Sequence, residues 1–442
     1  MKDELGLLKY FKILLALGLL TRFALSFWTG HPWDFEVFIR VGSNVANGGN
    51  LFQSKNYYVE GLGQPIFPYV TGLGYPPAWG LYAALAYKIY RFIPISPFLY
   101  YFMLKLAPIL GDLAVTYMIF LLTLKSTHSI QKAMWNSLIF FLCPFVIFIS
   151  SVWGMFDSLP TFFTLTSILL LLSGRLYLSA FCLGLGIYVK IIPVIYLPIQ
   201  LLFINKKAGI KEAIIYFLIS CEVPFVLTLV PTILFRWEIS QAFGTVISQS
   251  QPHPFAPGDV LTYWNLSAFL RDLFRSSFVS EVLIQFFSFP TVNYLWILGL
   301  IVSYFLYYRI QNKPSDKLAQ TGNLDLLLRG FSLTTICFLL TRTFVPEQYV
   351  LYLLPAIIML PNVTLTCDYY YKRIWIAALI FAFVNNYPFS FAYLINAKCW
   401  YTFNYLATTP PFSTLRYAAR FAIATLFDFY LIKLLLRLVR RP

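Results

Sequence analysis

Charge is scarce in this sequence. Only 12% of its 442 residues are Asp, Glu, Lys or Arg, about half the share usual in a soluble globular domain. A water-facing surface cannot be built around the whole chain from that supply. Acidic residues are scarcer still, 18 against 33 Lys and Arg. Three histidines, His31, His128 and His253, and six scattered cysteines give no Cys/His set with metal spacing and no disulfide framework. The sequence has no Gly-rich phosphate loop, no Ser/His/Asp order, no clear internal repeat and no low-complexity tract. A zinc module, a P-loop enzyme, a triad hydrolase and a repeat solenoid are therefore poor fits.

What the chain has instead is apolar length. Hydrophobic residues make up 59%, and runs of about 18 to 25 of them separate most charge clusters, enough to cross roughly 30 Å of hydrocarbon as a helix. The first run, 10–28, is too long for the core of a signal peptide and no small-residue cleavage site follows it, so it reads as a membrane span. About twelve spans are predicted, at 10–28, 98–122, 134–152, 158–173, 176–188, 191–205, 213–235, 291–309, 329–345, 348–366, 374–392 and 417–438. The stretch 176–205 also reads as one long helix if the break near Lys190 is ignored. The expected fold is an all-α polytopic membrane protein with two long outer loops.

Net charge is +15. Its distribution in short loops beside spans points to a lipid bilayer and not to nucleic acid. With the N-terminus inside, Lys125, Lys132, Arg175, Lys206, Lys207, Lys211, Arg309, Lys313, Lys317, Lys372, Arg373 and the tail Arg437, Arg440 and Arg441 all fall on that side. Lys398 and Arg416 fall opposite. The organisation expected is a catalytic transmembrane module 1–235 carrying a first outer loop 29–97, a second outer loop 236–290, and C-terminal helices 291–442. Within the first loop, 34–47 and the stretch after Tyr75 read as interfacial amphipathic helices.

With so few acids, their positions are informative. Asp34 and Glu36 lie just beyond span one, and such a pair suits a general base and an oxygen ligand for Mg²⁺ or Mn²⁺. An acidic pair closing a helix at the headgroups is the plainer account. Asp157 opens span four on the same predicted side, as an N-cap or as a second metal or substrate carboxylate. Asp112, with Lys105 two turns earlier, sits inside span two, where an ionisable group serves either function or an interhelical pair. Lys190 and Arg342 are cations on the side that the positive-inside bias disfavours, which a phosphate ligand or snorkelling to headgroups would explain. Glu347 and Gln348 follow Arg342 closely, and His253 lies in the second outer loop.

Together these segments resemble a family. The acidic pair after span one, Tyr75-Pro76-Pro77, Lys105-Leu106-Ala107-Pro108 with Gly111-Asp112, Trp153-Gly154 followed by Asp157, and Lys190 are similar to motifs of the GT-C fold glycosyltransferases, especially the GPI-anchor mannosyltransferases and their prokaryotic relatives. Phe344-Val345-Pro346-Glu347-Gln348-Tyr349-Val350-Leu351-Tyr352-Leu353-Leu354-Pro355 is similar to a signature of the first-mannose transferases among them. Met155 stands where relatives often have Gln, and the acidic motif reads Asp34-Phe35-Glu36.

The resemblance implies transfer of mannose or another hexose from a polyprenyl- or dolichyl-phosphate donor to a hydroxyl of a lipid or glycan acceptor. Transfer would invert the anomeric centre at the outer or luminal face of a prokaryotic cell membrane or the endoplasmic reticulum. It also implies that Asp34 is the catalytic base, with Glu36, Asp157, Lys190, Arg342, Glu347, Gln348 and His253 binding substrate and Glu36 with Asp157 as the metal candidates. Two other classes compete. A transporter or lipid flippase would also bury charges in spans, but it leaves the long acidic first loop unexplained. A non-catalytic subunit of a glycosylation complex would tolerate loss of Asp34.

Overall fold

The computed structural model describes residues 2–53, 66–68, 70–248, 260–274, 277–288, 292, 294–312, 322–360 and 364–440. Among them there is no extended sheet, and nearly every regular segment is helical. Helix α1 (Lys2–Ser26) leads to α2 (Pro32–Ala46) and α3 (Pro77–Phe92), and the 31-residue α4 (Pro97–Thr127) returns through the bundle. The next crossing is α5 (Ile130–Phe141), the single turn α6 (Pro144–Ile147) and a π-helical turn, Phe148–Trp153. Then come α7 (Ser158–Leu171), α8 (Leu176–Val189), the 3₁₀ turn Ile192–Tyr196 with α9 (Leu197–Ala208), and α10 (Ile210–Leu234). Helices α11 (Ile239–Ser248), α12 (Leu266–Phe274) and α13 (Ser277–Ser288) occupy the second predicted outer loop. The chain ends with α14 (Leu295–Gln311), α15 (Asn323–Thr341), the 3₁₀ turn Glu347–Tyr352 with α16 (Leu354–Met359), α17 (Thr364–Asn386), α18 (Lys398–Thr408) and α19 (Phe412–Arg440).

Among the described residues, every predicted span overlaps a helix or a closely joined pair of helices; 291, 293 and 361–363 lie outside them. Helices α4, α10 and α15 are each long and apolar enough to cross a membrane alone, and α5 with the segment Pro144–Trp153, bent by 49° at their junction, meets the same criterion as a pair. Large apolar side chains such as Leu20, Leu110, Tyr117, Phe217, Leu218, Ile301 and Phe429 stand exposed on the helix flanks, as lipid-facing surfaces require. Some of the loops predicted to be inner meet at one end of the bundle. Lys125 reaches Ser173, and Lys206 reaches the Gln311 carbonyl and Asn312, so predicted inner loops meet one another. The opposite end gathers the connections after α1, the π-turn, α8, α15 and α17.

Local chemistry places the breaks. Pro144 cannot donate to the α5 ladder, and the crossing bends there. The π-turn stops on Gly154 at φ +91°, where a Cβ would lie 2.8 Å from the Phe35 ring, so only glycine fits. The break at Lys190 is real: α8 ends at Val189, Lys190 is extended, and Pro193 opens the next turn.

One expectation is corrected. Helix α2 does not lie on the membrane surface, because every residue from Phe35 to Val45 is buried. It is enclosed by α3 and α4, with Phe38 edge-on to Trp79 and Tyr100 donating to the Ile39 carbonyl. Helix α3 does keep exposed apolar positions, Leu85, Ile89 and Phe92, as an interfacial helix would.

Candidate active site

The connection after α1 builds the site. His31 caps α2 by accepting the Asp34 N–H at its Nδ1, 3.2 Å away, and Pro32 presets the first helical turn. The same connection is fastened to two other crossings. The Gly30 N–H donates to the Phe391 carbonyl (2.9 Å) and the His31 N–H to the Trp153 carbonyl (3.0 Å). Beneath it, the buried Lys105 ammonium donates to the Thr29 carbonyl and hydroxyl and to the Ser151 carbonyl. Lys105 is thus a clamp between α1, α4 and the π-turn, and it is not paired with Asp112.

Asp34 has its carboxylate only part-buried, with 28% of the side chain exposed. Its Oδ2 accepts the Trp153 indole N–H at 2.8 Å and lies 3.3 Å from His31 Nδ1. Its Oδ1 takes no hydrogen bond from the described residues. Glu36, two residues on, faces elsewhere, as a helix requires. It pairs with Arg40 at 3.1 Å, and Arg40 also donates to the Phe67 carbonyl. Burial pushes the Glu36 carboxyl upward, against the opposing pull of Arg40.

Asp157 is fully buried, and its Oδ1 binds the Lys190 ammonium at 2.7 Å. Its Oδ2 is closed off with no partner, and the Tyr352 hydroxyl lies beside it without completing a bond. No Asp157 side-chain capping bond to α7 forms. Lys190 is 1% exposed and enclosed by the rings of Tyr75, Phe156 and Tyr349, at 5.1 to 5.4 Å. Tyr75 is near enough to Asp34 and Asp157 to feel both charges, which add to burial in raising its phenol well above the usual range.

The late segment closes the other flank. Arg342 is buried, extended, and donates to the Phe344 carbonyl at 2.9 Å. Glu347 accepts from Asn385 at 3.1 Å, and Arg416 clasps the Asn385 carbonyl and side-chain oxygen. Gln348 is buried with its Oε1 unmatched. His253 lies outside the described residues.

Glu36 and Asp157 are each committed to their own cation, and among the described residues no three His, Cys, Asp or Glu side chains form a metal-sized group. Asp112 belongs to a different place. It accepts from Arg22 (2.8 Å), Ser150 (2.7 Å) and Ser158, which is the interhelical pair, with Arg22 the partner that sequence reasoning missed. Sequence reasoning also gave no role to Trp153, His31, Tyr349, Asn385 or Asn386. Trp153-Gly154 was visible as a motif, whereas Asn386 carries no signal until the fold sets it beside His31.

The fold and this arrangement define a polytopic helical membrane protein with one half-open carboxylate among buried ion pairs at one end of its bundle. The sequence model of glycosyltransferase family 87 matches residues 73–328, more than half of the chain, and the chain belongs to that family. It is a membrane glycosyltransferase of a GT-C-like family. The matched stretch includes Lys105, Asp112, Asp157 and Lys190 and begins after Asp34. No curated protein matches the chain.

Proposed function

We propose that the enzyme transfers a hexose, mannose being the first candidate, from a polyprenyl-phosphate carrier to an acceptor hydroxyl on the outer face, with Asp34 as the base. The supporting observation is Asp34 Oδ1, a carboxylate oxygen that takes no hydrogen bond from the described residues, on a part-exposed side chain whose other oxygen is held by Trp153. The acceptor oxygen attacks the anomeric carbon, and its proton passes to Oδ1 as the bond to the phosphate oxygen breaks. A phosphate leaves without an acid, so one carboxylate suffices, unlike the pair in hydrolases. Attack from the face opposite the leaving group inverts the centre.

Lys190 and Arg342 supply positive charge for the donor phosphate, Lys190 with Asp157 as its fixed counterion. An open hollow lined by Phe27, Trp28, Phe98 and Ile395 lies at the same end and offers the prenyl chain an apolar surface. The basic loops expected at the other end support an outer position for this one. Residues 1–235, with the first outer loop, form the catalytic module in this reading, and 291–442 contribute the late segment.

The test is transfer of labelled hexose from lipid-phosphate donors in vesicles reconstituted with the full chain. General base catalysis contributes about 10² to 10⁴ in rate, so Asp34→Asn should lower turnover by that factor with donor binding intact. Turnover within about threefold of wild type would sink the assignment.

A further inference from the structure

We infer that His31 is the positioning residue of the base, and that its protonation switches Asp34 off. The inference rests on the reading of Asp34 given above and extends it to the acid side of the pH profile.

The cap bond to α2 selects one tautomer of neutral His31. Nδ1 accepts the Asp34 backbone N–H, so its lone pair points at α2 and the proton sits on Nε2. Nε2 lies 3.3 Å from Asn386 Oδ1 at the end of α17, and donates to it. The imidazole also lies flat on Trp153, with ring centres 4.3 Å apart and planes 8° from parallel. Trp153 in turn donates to Asp34 Oδ2. One stacked pair thus sets both the helix cap beneath Asp34 and the donor that fixes its carboxylate. Oδ2 is held and Oδ1 is left open.

Protonating Nδ1 inverts these roles. The cap bond to the Asp34 N–H is lost, and a new N–H faces Asp34 Oδ2, already 3.3 Å away. The carboxylate gains a cationic partner, and its basicity falls. Trp153, Phe391 and Asn386, which also contact His31, are neutral. Asp34 is the charged group facing it on its own helix, and Lys105 is the next charge out, through Thr29. Asp157 is close enough to Asp34 to feel its charge, and it is paired with Lys190. As pH rises through the imidazole range, His31 becomes neutral and the base is released, so transfer should increase.

The experiment is the pH profile of kcat for the reconstituted full chain, with wild type, His31→Asn and Asp34→Asn measured together. Asn keeps an acceptor for the cap and removes the titration. Wild type should lose activity on an acid limb of the profile. His31→Asn should move that limb down by about one to two pH units, with kcat at pH 8 lowered by less than about tenfold and the donor KM little changed. An unmoved limb in a folded His31→Asn would overturn the inference. Full turnover in Asp34→Asn would instead remove the reading of Asp34 itself.

Discussion

Removing Asp112 should cripple stability and not chemistry. The carboxylate sits in mid-span, fully buried, and accepts from Arg22, Ser150 and Ser158. Arg22 is equally buried and also donates to the Gly18 and Phe141 carbonyls, with its guanidinium 4.1 Å from the Phe141 ring centre. Asp112→Ala leaves that guanidinium without a counterion. Losing one partner of a buried pair costs about 3 to 5 kcal/mol, because the other charge stays buried. Ser158 loses its acceptor as well, whereas Ser150 keeps the Val146 carbonyl, so one further unmatched hydroxyl adds about 1 kcal/mol. The single variant should therefore lose about 4 to 6 kcal/mol. An Arg22→Met, Asp112→Leu double variant deletes both charges and should recover most of that loss, since an apolar replacement of a buried pair is often neutral. Thermal unfolding in detergent reads the stability, and transfer at low temperature reads the chemistry. A stable Asp112→Ala that no longer transfers sugar would refute the structural account and place Asp112 among the substrate contacts.

The Lys190–Asp157 pair predicts the opposite pattern. Lys190→Met alone should destabilise by about 3 to 5 kcal/mol. The Lys190→Met, Asp157→Leu double variant should regain thermal stability but remain deficient in donor use, and full activity in the double variant would relegate the pair to packing. For topology, Ile95, 82% exposed in the turn between α3 and α4, should as Ile95→Cys label from outside sealed cells. His128→Cys, between α4 and α5, should label only after permeabilisation, and the reverse pattern would invert the whole assignment.

The sequence carried the crossings because each is written in local apolar length, and some of the loops that their charges predict to be inner do meet at one end. Even the break at Lys190 was open to reading, since Pro193 follows it. What stayed hidden was partnership. Arg22 looks like an ordinary basic residue in a first span, and only its closeness to Asp112, ninety positions away in sequence, gives it a role. Lys105 and Asp112 share a helix face by spacing, yet the bends in α5 and the π-turn bring Ser151 to one and Ser150 to the other. The enclosure of α2 was invisible for a similar reason. Its polar residues, Arg40, Ser43 and Asn44, read as a wet face, but Arg40 turns to Glu36 and Phe67, and Asn44 to the Asn50 carbonyl.

That enclosure bears on how Asp34 would act as the proposed base. A helix lying free at the headgroups would let Asp34 sample many orientations, and each is lost when the acceptor must be met at one angle. Here α2 is packed on all sides, its first turn is capped by His31, and Trp153 arrives from a π-turn whose extra residue shifts the register of that crossing. Gly154 then reverses the chain at once, so that Asp157 lies deep beside Lys190 while Trp153 stays level with Asp34. An ordinary α-helical ending would rotate Trp153 away from the carboxylate. The irregular backbone at the ends of the crossings, and not the regular helices, is what assembles the site.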